Sequence, residues 1–296
     1  MSRSVSPISG KPYGLAAVCR VWRLARSGVY RHRMPSPPAP PQRRGPSGPM
    51  PDEALTAAIR VVLAASPFHG EGHRKVWARL RHGGIRTSRR RVLRLMRESD
   101  LLAPSRAGRA RGPRSHDGTI IPDTIDTMWG TDLTTTITGE GPAAVFIAID
   151  HCSAECVGIH ADRCATRFQA LEPVRQGVRR RFGGFAKGIA HGLAVRHDHG
   201  SQYMSDHFQK EIAFLGIASS PAFVRAPEGN GCAERFIRML KENLLWVRTF
   251  QTIEDLRTAL LEFRDTYNTT WLIERHGFLT PELFRQSQLQ AMQIAA

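Results

Sequence analysis

Apolar residues recur along the chain with two different periods, and the change of period separates a helical front part from a mixed back part. In residues 52–103 they stand three or four positions apart, which predicts three amphipathic helices. The residues that define the three apolar faces are Leu55, Ala58, Ile59, Val62 and Leu63, then Val76, Trp77 and Leu80, then Val92, Leu95 and Met96. Gly83 and Gly84 predict a tight turn before the third helix, and Ser88 is placed to cap it. A shorter pattern in residues 11–33 predicts two short helices.

From residue 118 onwards, short apolar runs alternate with segments of helical period. The runs predict strands at residues 128–135, 143–150, 156–161, 193–197 and 217–219. The helical periods predict helices at residues 166–182, 205–215 and 253–268. Three early strands followed by alternating helix and strand predict an α/β fold, in which a mixed sheet is flanked by helices.

Two segments show neither period and are predicted to be linkers. Residues 34–51 are rich in proline, which cannot continue a helix or a central strand, and residues 104–117 combine small residues with arginines. The sequence thus predicts five parts. They are a short helical segment (1–33), a Pro-rich linker (34–51), a small all-α domain (52–103), a basic linker (104–117) and an α/β core with C-terminal helices (118–296).

Positive charge is concentrated in the front part of the chain. The formal net charge is +16, and residues 1–117 hold 24 Lys and Arg against 6 Asp and Glu, whereas residues 118–296 hold 18 against 20. This asymmetry is the electrostatic footprint of a nucleic-acid-binding region. The alternative is a basic arm without a specific partner.

The third predicted helix of the all-α domain is the most basic element. Its five arginines, which cannot all face the core, are Arg89, Arg90, Arg91, Arg94 and Arg97. A helix, a glycine turn and a basic helix outline a helix-turn-helix, whose second helix lies in a major groove of DNA. The alternative is a three-helix bundle that contacts phosphates and binds DNA without reading its bases.

Cysteine usage and hydropathy indicate where the protein works. The five cysteines are scattered and form no C-x-x-C pair, which fits a reducing compartment, and we expect a cytoplasmic protein. No apolar run reaches the roughly 18 residues that span a bilayer, so no membrane partner is predicted. The residues His151, Cys152, Cys156 and His160 have poor spacing for a zinc site.

Three acidic residues occupy positions where the predicted fold can bring them together. Asp132 lies inside the strand 128–135, Asp198 directly follows the strand 193–197, and Glu234 lies in a helix that begins near Asn230, with 35 residues between the last two acids. Three carboxylates from separate elements suit hard divalent cations such as Mg²⁺, which prefer oxygen ligands. Lys241 and Arg238 are expected on the Glu234 side of its helix, where they can bind DNA phosphate.

The sequence around these acids resembles the DDE catalytic core of transposases of the insertion-sequence-3 family and of retroviral integrases. The matching stretches are Trp129-Gly-Thr-Asp132, Asp198 with Gly-Ser-Gln-Tyr203 after it, Glu234 with Lys241 seven residues later, Tyr267-Asn268, and Leu279-Thr-Pro-Glu-Leu-Phe284. The resemblance covers nearly the whole chain. It implies a ribonuclease-H-like fold preceded by a helix-turn-helix domain.

The resemblance also implies an activity, a cofactor and partners. Asp132, Asp198 and Glu234 are expected to hold two Mg²⁺ or Mn²⁺ ions, which neutralise charge on both sides of the attacked phosphodiester. The substrates would be double-stranded DNA, as element ends and as target, bound by a homo-oligomer. In this family the active enzyme is often a fusion with an upstream reading-frame partner.

Two other functions fit the same residues. One is a catalytically inactive DNA-binding protein, and the other is a ribonuclease-H-type nuclease that hydrolyses without joining. The basic front part, which a simple nuclease does not need, favours transposition.

Three further residues or pairs near the expected site are given other roles. Asp150 ends a strand next to that of Asp132, but the turn-like sequence after it predicts a turn-capping role. His197 and His199 flank Asp198 and alternate away from it, so a structural or DNA-contacting role is predicted. The family also has an Arg and a His soon after its Tyr-Asn pair. Here Arg275 and His276 come later, which predicts that this contact is displaced or lost.

Overall fold

The structure, a computed structural model, describes residues 4–33, 50–104, 120–222 and 227–295. The chain divides into two units, Met1–Pro49 and Met50–Ala296. The first unit contains helices α1 (Leu15–Val21) and α2 (Arg26–Arg33), so the two short helices predicted there are confirmed. Most of the predicted Pro-rich linker, and all but the first residue of the basic linker, lie outside the described residues.

The second unit begins with three helices around a small apolar core. They are α3 (Asp52–Ala65), α4 (His73–His82) and α5 (Arg89–Glu98). Their buried faces consist of Leu55, Ile59, Val76, Leu80, Val92, Leu95 and Met96, all taken from the predicted apolar positions. Ser88 caps α5 as predicted, because its hydroxyl accepts the N–H of Arg91 at 3.2 Å.

A five-stranded mixed sheet forms the centre of the core domain. Its strands are β1 (Met128–Thr138), β2 (Gly141–Asp150), β3 (Cys156–Asp162), β4 (Ala194–His197) and β5 (Ala218–Pro221). Their order is β3-β2-β1-β4-β5. The β1–β2 and β2–β3 pairs are antiparallel, whereas β1–β4 and β4–β5 are parallel. The mixed sheet predicted from the sequence is therefore confirmed.

Helices cover both faces of the sheet, and alternate residues of β2 belong to the two sides. Ala144, Phe146 and Ala148 pack with α6 (Arg167–Phe182), α7 (Ser201–Met204) and α8 (Asp206–Phe214). Val145, Ile147 and Ile149 pack with α9 (Gly231–Leu240), a π-helical turn (Lys241–Leu245) and α10 (Ile253–Thr270). A last helix, α11, spans Pro281–Ala295.

The Tyr267-Asn268 pair fixes α10 to the sheet. The side-chain amide of Asn268 accepts the N–H of Cys156 at 2.9 Å and donates to the carbonyl of the same residue at 3.0 Å. Tyr267 donates its hydroxyl to the carbonyl of Ala154 at 2.9 Å. Both residues are buried, so this pair satisfies backbone groups at the start of β3 that would otherwise lack partners.

The three-helix domain also packs against the core domain. Phe68 joins the core on the α10 side, and its ring lies edge-on to Trp271 at 4.8 Å. Trp77 of α4 meets Phe278 at 5.8 Å. Within the part of the chain that the structure describes, no helix is both long and apolar enough to cross a bilayer.

Candidate active site

Asp132 lies on β1, partly buried, and the charges of Asp198, Glu234 and Lys241 all act on it. Its carboxylate accepts the N–H of Leu133 at 2.8 Å. The pKa of Asp132 is raised to about 6, mainly by burial and to a smaller extent by the carboxylates of Asp198 and Glu234, against the opposing effects of the Leu133 N–H and of Lys241. The charges of the other two predicted acids therefore reach Asp132, and a bound cation would offset this repulsion.

Asp198 follows β4 at a position that matches Asp132 across the parallel pair. The last paired residues are Gly130 and Arg196, and each acid comes two residues later on its own strand. One carboxylate oxygen of Asp198 accepts the N–H of Gly200 at 2.8 Å, which fixes the turn into α7. The side chain is exposed, so it remains accessible to a ligand.

The histidines beside Asp198 differ in environment. His197 is buried, with Nδ1 at 2.6 Å from the Asp198 carbonyl and Nε2 at 2.9 Å from the hydroxyl of Ser219. Burial lowers its pKa, so the neutral ring is favoured. The structural role predicted for His197 is confirmed. His199 is exposed, and its DNA-contacting role stays a prediction.

Glu234 lies in the first turn of α9, whose start is attached to β1 by Asn230. The Asn230 amide donates to the carbonyl of Thr131 at 3.1 Å, directly beside Asp132. Its oxygen lies next to His151 Nε2, above Gly130, where an added Cβ would stand 2.5 Å from that oxygen. Gly130 therefore permits the close approach that holds Glu234 towards Asp132.

Asp132 and Glu234 open into one cleft of about 370 Å³. Its lining consists of Asp132, Leu133, Glu234, Ile237, Arg238, Lys241 and Trp246. Asp198 acts on Asp132 through its charge and stands outside this lining. Among the described residues no three His, Cys, Asp or Glu side chains are gathered tightly enough to hold a metal ion. Two acids and a lysine thus share the cleft, and the third acid flanks it.

The donor set fits a hard divalent cation. Carboxylate oxygens are the ligands that Mg²⁺ and Mn²⁺ prefer, and the carboxylates of Asp198 and Glu234 both act on the partly buried Asp132. Asp198 and Glu234 are exposed, so their side chains can turn towards Asp132.

Asp150 and the residues that could be considered zinc ligands have structural roles. Asp150 is buried and accepts the N–H and the hydroxyl of Ser153 at 2.8 and 2.5 Å, which confirms the predicted turn-capping role. His160 lies 2.8 Å from the Gln169 side chain. Burial raises the pKa of Cys152 to about 11 and of Cys156 to about 12, which disfavours the thiolate that zinc needs.

Arg275 and His276 bind the β2–β3 turn. Arg275 donates to the carbonyls of His151 and Cys152 at 2.8 and 3.0 Å, and His276 Nε2 lies 3.1 Å from the latter. This pair, which comes later here than in the family, therefore contacts the backbone that directly follows β2.

The five arginines of α5 fall into three groups. Arg91 and Arg94 both bind Asp52 at the start of α3, with 2.8 Å hydrogen bonds. Arg89 lies 4.4 Å above the Trp77 ring and pairs with Glu274 at 3.8 Å, which ties α5 to the core domain. Arg90 and Arg97 are exposed, with no carboxylate partner within 4 Å in the described parts of the chain.

Two buried residues beside the acids were assigned no role from the sequence. Arg196 hydrogen-bonds Ser220 at 3.2 Å, and its guanidinium lies so close to Gly229 that a Cβ there would stand 2.9 Å from Cζ. Tyr203 places its hydroxyl 3.5 Å from that of Thr131, on the β1 segment before Asp132. The signal for Tyr203 was its place in the Asp-His-Gly-Ser-Gln-Tyr stretch, whereas Arg196 reads as one more basic residue.

Replacing Gly130 by Ala should misplace Glu234. The new methyl group would overlap His151 Nε2 and Asn230 Oδ1, so both side chains must turn aside, and the Asn230 hydrogen bond that holds the start of α9 to β1 is disturbed. Because displacement of a catalytic group by about 1 Å costs about 100-fold in rate, we expect such a loss of DNA strand joining with DNA binding retained. Gly184→Ala, where the added Cβ meets only Ile189 at 3.4 Å, is the control. Unchanged joining by Gly130→Ala would show that α9 tolerates the shift.

Two parts of the chain match domains of known protein families. Residues 51–109 match an HTH-like domain, and residues 215–281 match an integrase core domain. A transposase of insertion sequence IS629 from Shigella sonnei is 25% identical over 283 residues, covering 91% of this chain and 90% of that protein. Transposase InsD of element IS2 from Escherichia coli is 26% identical over 201 residues, covering 66% of this chain and 65% of that protein.

The solved structures that the chain partly resembles include retroviral proteins. An intasome chain of simian T-cell lymphotropic virus, solved with a PP2A regulatory subunit, is 16% identical with a TM-score of 0.47, over 71% of this chain and 70% of that one. The HTLV-2 integrase catalytic core, solved with magnesium, is 16% identical with a TM-score of 0.41, over 56% of this chain and 99% of that one.

The two domain matches and the insertion-sequence relatives support DNA transposition and integration as the function. They confirm the expected resemblance at the level of the two domains and of the insertion-sequence relatives. The chain joins an HTH-like domain to an integrase core domain and is a homologue of the insertion-sequence transposases.

Proposed function

We propose that the protein is a DDE-type polynucleotidyl transferase, which cuts the DNA ends of its own mobile element and joins them to a target. The observation that carries this proposal is the cleft shared by Asp132, Glu234 and Lys241, in which the charge of Asp198 also acts on Asp132. The homology to insertion-sequence transposases supports the same reaction class.

The acids would act as ligands of divalent cations. Asp132, Asp198 and Glu234 would together hold Mg²⁺ or Mn²⁺. Bound ions supply charge neutralisation on the attacked phosphodiester and an activated oxygen nucleophile. Asn230, at the start of the Glu234 helix, donates to the Thr131 carbonyl, and the Tyr203 hydroxyl accepts from the Thr131 hydroxyl. The chain's own contribution would be to hold the carboxylates at one place.

Cationic residues near the acids would position the DNA. Lys241 and Arg238 line the cleft, and Arg238 also pairs with Glu242 at 3.0 Å, so Lys241 is the better phosphate ligand. On α5, Arg90 and Arg97 are the exposed candidates for DNA contact, whereas Arg89, Arg91 and Arg94 would contribute mainly by holding the helix in place.

The reaction would have two chemical steps at the same acids. Water first attacks a phosphodiester at the element end and leaves a free 3′ hydroxyl. That hydroxyl then attacks a phosphodiester of the target DNA. The cleft needs no covalent nucleophile of its own, since the acids and the cationic residues account for both displacements.

Joining of labelled DNA tests this function directly. Purified protein is incubated with Mg²⁺, a labelled duplex of the element end and an unlabelled target duplex. Products longer than the labelled strand are expected, because the freed 3′ hydroxyl is transferred. Cleaved strands without longer products would show the hydrolytic ribonuclease-H-type alternative, and DNA binding without cleavage would show the inactive one.

Assembly on DNA completes the proposal. The homology supports DNA binding, and two element ends need at least two active sites, so a homo-oligomer on DNA is proposed. An upstream reading-frame partner stays a prediction from the sequence resemblance alone.

A further inference from the structure

The most exposed aromatic side chain of the described residues stands at the candidate active site. Trp246 is 70% exposed, although the burial of a large aromatic ring is strongly favourable. It lines the same cleft as Asp132, Glu234 and Lys241. An exposed tryptophan beside such charged groups indicates a binding surface for a ligand with a flat apolar face.

The backbone holds this ring in place through an unusual turn. After α9 the chain widens into the π-helical turn, and the N–H of Trp246 donates to the carbonyl of Lys241 at 2.9 Å. Leu244 and Leu245, the last two residues of the turn, are buried in the core, so the backbone that carries the ring is anchored. Widened turns of this kind are frequent at functional sites, because they change the direction in which side chains project.

The charges around Trp246 suit a nucleic acid. Lys241 and Arg238 line the cleft, and the exposed Arg248 follows two residues later, with its guanidinium 5.3 Å from the Phe250 ring. Cationic groups that follow a phosphate backbone, combined with an aromatic ring on which a base can stack, are the two components of single-strand recognition.

We propose that Trp246 stacks on a nucleobase beside the attacked phosphodiester and so positions the DNA strand at the acids. The base belongs either to the element end or to the target, and in both cases it must leave its neighbour in the stack to meet the indole. This inference rests on the proposed function. It adds a DNA-positioning residue that contacts the base, while the carboxylates act on the phosphate.

Fluorescence of 2-aminopurine tests the stacking without any turnover. The full-length Glu234→Gln protein is mixed with DNA in which an unpaired, single-stranded 2-aminopurine replaces one base near the cleavage site, because 2-aminopurine stacked in a duplex is already quenched. The probe is in the element end in one arm and in the target in the other. We expect strong quenching in one arm, which identifies the source of the base. Trp246→Ala in this background should remove the quenching, and Trp246→Phe should keep most of it.

Strand joining gives the second measurement. With Glu234 intact, Trp246→Ala should reduce joining about 10- to 100-fold, in line with the loss of one stacked base, and Trp246→Phe should restore most of the rate. The matched control is Phe214→Ala, which removes another exposed aromatic ring of the core domain, on α8 and away from the cleft.

The outcomes separate this inference from the proposed function. If Glu234→Gln abolishes joining while Trp246→Ala leaves both quenching and joining unchanged, only the stacking role is overturned. If Trp246→Ala changes the oligomeric state by sedimentation and leaves quenching unchanged, the ring is a protein contact and the inference is likewise overturned. If the wild-type protein joins no DNA, but 2-aminopurine fluorescence is quenched in a way that requires Trp246, the stacking role is supported and the proposed reaction is contradicted.

Discussion

Replacing Asp132 by Asn is expected to abolish DNA strand joining while making the metal-free protein more stable at neutral pH. The loss of joining should reach about 1,000-fold, since an electrostatic group of the reaction centre is removed. The gain in stability follows from the environment of Asp132, whose ionised form is disfavoured by burial and by the charges of Asp198 and Glu234. A residue kept for folding alone would not show these opposite effects.

The pH dependence has a definite sign. The pKa of Asp132 rises from 3.8 to about 6 on folding, so between these values the folded protein binds more protons than the unfolded chain. The free energy of unfolding of the metal-free protein should therefore decrease as pH rises from about 4 to about 6, and stay lower above that range. The change is roughly 2 kcal/mol. It should be absent in Asp132→Asn.

Metal addition provides the complementary measurement. Urea unfolding at pH 7 is followed with chelator and with Mg²⁺, for the wild-type protein and for Asp132→Asn. Mg²⁺ should raise the stability of the wild-type protein, because a ligand that binds only the folded state stabilises it, and should leave the variant unchanged. Asp206→Asn, an exposed acid on α8, is the control and should behave as the wild type.

Asp198→Asn and Glu234→Gln complete the series. Both should lose joining to a similar extent and retain DNA binding, because the basic residues of α5 are untouched. Normal joining by any one of the three variants would remove that residue from the site. A destabilised Asp132→Asn protein at pH 7 would show that Asp132 has a favourable partner in the fold, against its raised pKa.

The sequence was most informative where a simple period decides the structure. The alternate residues of β2 lie in opposite cores, and Asp132 and Asp198 occupy equivalent positions on parallel strands. Side-chain alternation and strand order determine these features, and both can be inferred from the amino-acid sequence. The approach of Glu234 to Asp132 was predicted from a family resemblance, and it depends physically on Asn230 and Gly130.

Other features depend on contacts between distant segments, which no local pattern records. In the sequence, the arginines of α5 are equivalent positive charges. In the structure, Arg91 binds Asp52 of α3 and Arg89 lies over Trp77 of α4. The π-helical turn is another such case, since only the backbone hydrogen bond from the N–H of Trp246 to the carbonyl of Lys241, five residues earlier, reveals the widened turn. Trp246 was consequently overlooked.

A substitution where α6 packs on the sheet is expected to lower the free energy of unfolding strongly and to leave the catalytic activity of the folded protein nearly unchanged. Gly158 of β3 faces the backbone of Pro173 in α6, where an added Cβ would stand 2.6 Å from the carbonyl carbon and 2.7 Å from Cα. Backbone atoms cannot rotate away as a flexible side chain can. Gly158→Ala must therefore separate helix and strand, and we expect a loss of about 3 kcal/mol in the free energy of unfolding.

Two other glycines provide a graded comparison in the same domain. At Gly177 of α6 an added Cβ would meet the Trp129 ring at 2.6 Å, and at Gly184 it would meet only Ile189 at 3.4 Å. A buried ring can shift slightly, so Gly177→Ala should cost less than Gly158→Ala, and Gly184→Ala should cost little. Urea unfolding of the three variants measures the order directly.

The same variants separate folding from catalysis. α6 packs on the face of the sheet opposite α9, so Gly158→Ala should lower stability while the joining rate per folded molecule stays close to that of the wild type. Asp132→Asn should do the reverse. If Gly158→Ala proves as stable as Gly184→Ala, the close approach of Pro173 to β3 is not a feature of the protein in solution. If it folds normally but loses joining, the two faces of the sheet are coupled, and the acids depend on α6 as well as on α9.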